Sequence, residues 1–149
     1  MKTLLFLILT VLSGCSPQTR SLLAIQPNRI LYTSQDINRA ESIDSIVKLK
    51  PGNSWLARNV KIILRNGEQK TIPKKTIWGY SDAKGTIWRR FKNDYYQIFR
   101  IGDVIEYEII EPRTVGPSMV INEPVRKYSK TLDSKIVSSR KRALRSEAN

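Results

Sequence analysis

From Arg29 onward, apolar and polar positions alternate along most of the chain with a period of two. Val60, Ile62 and Leu64 alternate with Lys61, Ile63 and Arg65, and Glu68 to Ile72 is again extended in style after Asn66-Gly67. Successive side chains of a strand point to opposite faces, so the pattern predicts two half-buried strands. Asn-Gly between them predicts a type I′ hairpin turn, in which both central residues take positive φ. The stretch KKTIWGYSDAKGTIWRRF, residues 74–91, predicts a second hairpin. Asp82 can bond its own turn backbone and Gly85 can take the left-handed position. If Ser81 pairs with Thr86, Gly79 lies opposite Trp88 and Trp78 opposite Arg89, an indole laid over a strand glycine. A third hairpin joins Tyr95–Ile101 to Val104–Ile110 through Gly102-Asp103. In its second strand Ile105, Tyr107 and Ile109 alternate with Glu106 and Glu108, which makes one face buried and one wet. Pro112 and Pro117, with Gly116 between them, are expected to break the pattern before a last short strand over Ser118–Ile121.

Residues 35–47 read differently. Ile37, Ala40, Ile43, Ile46 and Val47 recur at roughly helical spacing and Pro51-Gly52 closes the segment, so a helix is favoured over a strand. The fold class is therefore mainly β: a small antiparallel sheet or barrel of about six to eight strands with at most one short helix.

The two ends of the chain depart from this body. Met1-Lys2 is followed by the apolar run Leu4–Leu12 and then by Ser13-Gly14-Cys15. The run is far shorter than the roughly 20 residues that cross a bilayer and has the form of a secretory signal. Cys15, the single cysteine, is either a small residue beside an ordinary cleavage site or a lipid attachment point. Leu12-Ser13-Gly14-Cys15 resembles the lipobox of bacterial lipoproteins. That resemblance implies cleavage before Cys15 and covalent diacylglyceryl and N-acyl lipid on it, with no other cofactor. Two or more acyl chains give stable anchoring. The following Ser16-Pro17-Gln18 lacks the aspartate associated with inner-membrane retention, so the resemblance implies an outer-membrane protein facing the periplasm.

On this basis residues 1–14 are a signal peptide, 15–28 a lipidated N-terminus and tether, 29–128 a β domain, and 129–149 a basic tail, helical or disordered. From Arg126 to Asn149 the chain carries eight Lys or Arg against Asp133 and Glu147. Lys135, Arg140, Lys141, Arg142 and Arg145 are the candidate contacts to an anionic surface, where each basic residue contributes about 1 kcal/mol. The whole chain has 26 Lys+Arg and 13 Asp+Glu, a formal charge of +13. Such a charge attracts anionic lipid, lipopolysaccharide, acidic glycan or nucleic acid, and an anchored envelope protein rarely meets the last. An envelope protein is a further candidate partner.

Chemistry is constrained by what is missing. The chain has no histidine, and lipid on Cys15 removes its thiolate, so Cys/His zinc sites, Ser-His-Asp triads and Cys-His dyads are ruled out. No catalytic or metal-ligating residue is assigned. The minority enzymatic reading is an envelope hydrolase using Ser/Lys or carboxylates, with Asp82, Asp94, Asp103 and Glu106 as the acids to watch. Trp78, Tyr80, Trp88, Arg89 and Arg90, with Tyr95 and Tyr96, form a candidate ligand face for stacking on sugars or bases. Strand alternation sends about half of them inward, where large aromatics fill a small sheet's core. Ile77-Trp78-Gly79-Tyr80, Gly85, Tyr95-Tyr96 and Ile101-Gly102 resemble segments of uncharacterised exported β-domain lipoproteins, a likeness that implies one β domain and no known activity. The expected role is a non-enzymatic binding or structural accessory module, with polyanion binding as the alternative.

Overall fold

The computed structural model describes residues 25–39, 46–52 and 58–146. Cys15, the apolar run before it and the tether up to residue 24 lie outside the described residues, as do Ala40 and Ile43 of the expected helix. The described chain is mainly β, as the alternation predicts. Its elements are β1 (Ile30–Leu31), β2 (Ile46–Lys50), β3 (Asn59–Leu64), β4 (Gln69–Pro73), β5 (Gly79–Ser81), β6 (Ile87–Phe91), β7 (Asp94–Ile101), β8 (Ile105–Val115), β9 (Met119–Ser129) and the helix α1 (Arg140–Arg145). The strands divide between two open antiparallel sheets, ordered β1-β5-β6-β7-β8-β9 and β2-β3-β4, and neither closes into a barrel.

All three expected hairpins form, with two changes of detail. Between β3 and β4 only Gly67 has positive φ, at 84°. Gly67 N–H donates to Leu64 C=O at 3.0 Å and Leu64 N–H to Glu68 C=O at 2.9 Å. The loop is therefore a type I turn closed by a left-handed glycine, not a type I′ turn, and Asn66 spends its side chain on Glu68 N–H at 3.0 Å. The β5–β6 loop closes the same way, with Gly85 at φ 79° and Asp82 N–H on Thr86 C=O at 3.0 Å. Asp82 rather than Ser81 pairs with Thr86, so the register moves by one residue. Gly79 lies opposite Arg89 and Tyr80 opposite Trp88. A one-residue move exchanges which side chains share a face.

Within the span of the expected helix, 35–47, the described residues 35–38 belong to a 3-10 turn, Ser34–Asn38, and residues 40–45 lie outside the described residues. The Asp36 carboxylate accepts from the N–H groups of Tyr32 and Thr33, both at 2.8 Å, which ties the turn to its own start. Ile46 and Val47 already belong to β2, where Ile46 pairs with Leu64. Pro112 does not end its strand either. β8 and β9 pair without interruption from Ile105↔Ser129 to Val115↔Met119, whereas β7 leaves β8 after Gln97↔Glu108. Pro112 thus sits where β8 has no neighbour on its other side, the setting in which a missing N–H is tolerated.

Each face of the six-stranded sheet has its own core. Leu31, Ile37, Ile87, Ile98, Ile105, Tyr107 and Ile136 form one. Val60, Ile62 and Ile77 form the other, with Ile30, Leu49 and Tyr95 packed against them. Ile136 places the basic C-terminal segment inside the domain. Tyr128 and Val137 exchange backbone bonds at 2.8 and 2.7 Å, and Ala143 of α1 is fully buried. The boundary expected at residue 128 therefore cuts through β9 and through the core. The segment beyond it supplies the short helix and closes one face of the sheet.

Candidate functional site

The seven residues of the candidate ligand face do not share a face. Directly opposed residues of antiparallel strands point the same way. Arg89 is opposite Gly79 and Tyr96, whereas Trp88 is opposite Tyr80 and Gln97, and Arg90 is opposite Tyr95. Arg89 and Tyr96 therefore turn toward the core that holds Ile136, and Trp78 packs there too. Tyr80, Trp88 and Tyr95 turn toward the three-stranded sheet.

Arg89 is a structural cation. Its Nη1 donates to Tyr107 Oη at 2.7 Å and Ser129 Oγ at 3.3 Å, and Nη2 donates to Ser134 C=O at 2.7 Å. The guanidinium lies 5.6–5.9 Å from the ring centres of Trp78, Phe91 and Tyr107. Asp133 fastens the lid over it, accepting from Trp78 Nε1 at 2.9 Å and from Ser34 Oγ at 2.6 Å. Arg90 is a clamp rather than a ligand group. Its guanidinium donates to the carbonyls of Ile77, Lys92 and Lys75 at 3.0, 2.9 and 3.3 Å.

The other face holds a cleft of about 510 Å³, in the size range of small-ligand sites. Tyr80, Trp88, Tyr95 and Lys74 line it from the large sheet and the segment leading into β5, and Val47 and Leu49 line it from β2. The Tyr80 and Trp88 rings are nearly parallel, 6.2 Å apart at 9°, and Tyr95 meets Tyr80 edge-on at 4.8 Å. Asp82 fixes the indole. One carboxylate oxygen accepts from Trp88 Nε1 at 3.0 Å, and the other accepts from the N–H groups of Lys84 and Thr86 at 2.8 and 3.0 Å. Burial works to raise the Asp82 pKa, but these donors outweigh it and hold the carboxyl below its ordinary range. The aromatic wall is thus set in one position by the fold itself.

Lys74 is the residue that the sequence gives no sign of. It is only 8% exposed, its Nζ donates to Asn93 C=O, and it lies 4.6 Å from the Tyr95 ring centre. Burial lowers its pKa, partly offset by Asp94. Among the described residues that carbonyl is the one hydrogen-bond acceptor of an ammonium with three donors. Tyr95 Oη is buried with no hydrogen-bond partner among the described residues. Burial pushes the Tyr95 phenol up to about 12, against the opposing pull of Arg90, and pushes Tyr80 still further. Neither phenol ionises near neutral pH.

Of the four watched carboxylates, Asp82 and Asp94 reach the cleft. Glu106 is paired with Arg100, and Asp103 lies 3.9 Å from Arg140. With Asp82 held by three donors, the cleft contains no free carboxylate pair among the described residues. No cluster of three or more Cys, His, Asp or Glu occurs among the described residues. Lys135, Arg140, Lys141, Arg142 and Arg145 are all exposed. Four of them are carried by α1, whose Ala143 packs inward. No helix among the described residues is long and apolar enough to cross a membrane. Comparison with family models, with curated proteins and with solved structures finds no match to this chain.

Proposed function

We propose that the chain is a non-enzymatic binding module of the bacterial envelope, held at the outer membrane by lipid on Cys15, whose ligand enters the cleft between the two sheets. The cleft carries this reading: an aromatic wall fixed by Asp82, beside a buried ammonium with donors to spare. Rings offer stacking surface and apolar area, and a partly desolvated cation offers direction, a combination suited to recognition. The Leu12-Ser13-Gly14-Cys15 motif supports the anchor. The exposed cations of α1 support polyanion binding as a second reading.

Two measurements test the proposal. Palmitate labelling in cells should mark the wild-type chain and not Cys15→Ala, and equal labelling of both would remove the anchor. Titration of the purified chain with soluble peptidoglycan fragments, lipopolysaccharide and anionic lipid should quench Trp88, with Trp88→Ala binding at least about tenfold more weakly. Binding that survives Trp88→Ala but vanishes with salt would move the site to α1. Turnover of any of these substrates would end the non-enzymatic reading.

A further inference from the structure

The β8–β9 arm is the part of the fold that its own core does not use. Beyond Gln97↔Glu108, β8 pairs with β9 alone, so Ile109–Val115 and Met119–Val125 form a two-stranded ribbon reaching roughly 20 Å past the sheet. Residues 114–122, TVGPSMVIN, carry no charge. Met119 is 54% exposed and Val120 62%, with Val115 and Ile121 also exposed.

We infer that the tip of this arm enters the headgroup layer of an anionic bilayer, as a membrane contact separate from Cys15. Three observations select lipid over other occupants. First, the tip exposes apolar side chains on both faces, Val115, Met119 and Ile121 on one and Val120 on the other. Val115 and Met119 oppose each other directly, as do Thr114 and Val120. A partner docked on one face leaves the other in water, whereas a lipid layer surrounds both.

Second, the charges on the arm are closed in pairs: Arg113 with Glu123, Lys127 with Glu111 and Arg126 with Glu108. The pair nearest the tip, Arg113–Glu123, marks how deep it goes. From there to Pro117 is about the 5–10 Å that interfacial segments penetrate. At that depth the open edges of the ribbon still meet water, so the cost of bare backbone in hydrocarbon does not arise. Third, a second copy brings another +13, which opposes self-association, whereas anionic lipid complements it. Ile109 and Ile110 at the base of the arm line the cleft, but the tip does not, so the inference rests on the tip alone and needs the Cys15 reading only to place the chain beside a membrane.

The test uses the mature chain, residues 15–149, with Cys15→Ser and one new cysteine, Val120→Cys at the tip or Arg65→Cys on the β3–β4 turn, carrying an environment-sensitive fluorophore. With phosphatidylethanolamine–phosphatidylglycerol vesicles, the label at 120 should shift to the blue and brighten roughly twofold, and brominated lipid should quench it. The label at 65 should do neither. Phosphatidylcholine vesicles should give a weaker response, and Met119→Asp added to the tip-labelled chain should abolish it. An unchanged label at 120, equal responses at 120 and 65, or a shift that grows with protein concentration without lipid would each overturn the inference, the last in favour of a second copy. Because palmitate labelling reads Cys15 separately, loss of the anchor and loss of the arm contact remain distinguishable.

Discussion

Arg89 and Lys74 are buried on opposite faces of the six-stranded sheet, and they are buried differently. Arg89 spends two of its nitrogens on three oxygens, lies among three rings and is sealed by the C-terminal segment. Lys74 reaches one carbonyl and one ring, and a cleft opens beside it. The planar fork of arginine suits a fixed constellation of acceptors, whereas lysine is a point charge with rotatable donors. Arg89, sealed in by the fold with its Nε left unpartnered among the described residues, serves architecture. Beside Lys74 a cleft opens through which an external group can reach its spare donors, and this difference underlies the proposal of a ligand site on the Lys74 face.

The strongest way to break the comparison is to remove the seal. A chain stopped after Tyr128 loses Ser129, Asp133, Ser134 and Ile136, and with them two acceptors of Arg89, the anchor of Trp78 and part of the core. Arg89 keeps Tyr107 Oη, but losing Ile136 and Leu132 from the core costs about 3–5 kcal/mol, a large share of the 5–15 kcal/mol that holds a domain together. Circular dichroism and urea titration should show no cooperative fold. A folded truncated chain would mean that the segment is a tail after all.

Next in size is Gly79→Ala. A Cβ at Gly79 would collide with the Trp88 backbone carbonyl oxygen, which a strand backbone cannot turn aside. The expected loss is about 3 kcal/mol or more, read as a lower urea midpoint. Arg89→Ala belongs in the same range, since it removes three hydrogen bonds and leaves a cavity among Trp78, Phe91 and Tyr107, although Tyr107 Oη and Ser129 Oγ still bond each other. Lys74→Met should behave otherwise. It removes an ammonium that burial disfavours, so stability should stay within about 1 kcal/mol of wild type while ligand affinity falls. Equal destabilisation by Arg89→Ala and Lys74→Met would erase the distinction between the faces. The pH dependence sharpens it further. Burial lowers the Lys74 pKa in the folded state, so the charge costs stability below that lowered value. The cost fades as pH rises from there toward the unfolded value of about 10.4. Wild type should therefore gain on Lys74→Met across that alkaline window, in urea midpoints measured side by side.

The alternation of Val60, Ile62 and Leu64 and of Ile105 and Tyr107 made the strands legible in the sequence, because a half-buried strand repeats every two residues whatever surrounds it. The division of the aromatic cluster was not legible. It depends on whether the Asp82 loop closes on Ser81–Thr86 or on Asp82–Thr86, a one-residue difference set by the left-handed Gly85 that exchanges Trp88 for Arg89 on the cleft side. Lys74 was hidden for another reason. Lys74 and Lys75 are adjacent and chemically identical, and only the turn of backbone between β4 and β5 sends the first inward. The C-terminal segment reads as a solvated charge run because its buried residues, Ile136 and Ala143, are too sparse to set a period. Its order comes from what it covers.

The smallest expected effect examines the cleft face by itself. Tyr95 Oη is buried without a partner among the described residues, and burial pushes its pKa up to about 12. Folding thus favours the neutral phenol, and stability from this group is lost as pH rises above the free phenol's value of about 10. Tyr95→Phe removes a hydroxyl that gains no bond and pays desolvation, so it should leave stability unchanged or raise it by about 0.5–1 kcal/mol at neutral pH. It should also delete one late step from the ultraviolet titration of the folded chain's tyrosines. A loss of more than about 1 kcal/mol would show that the hydroxyl has a partner in the folded chain. Lys74 would then stand alone as the unsatisfied group of the cleft, and the ligand should be sought among anions that need a cation and an apolar wall but no phenolic donor.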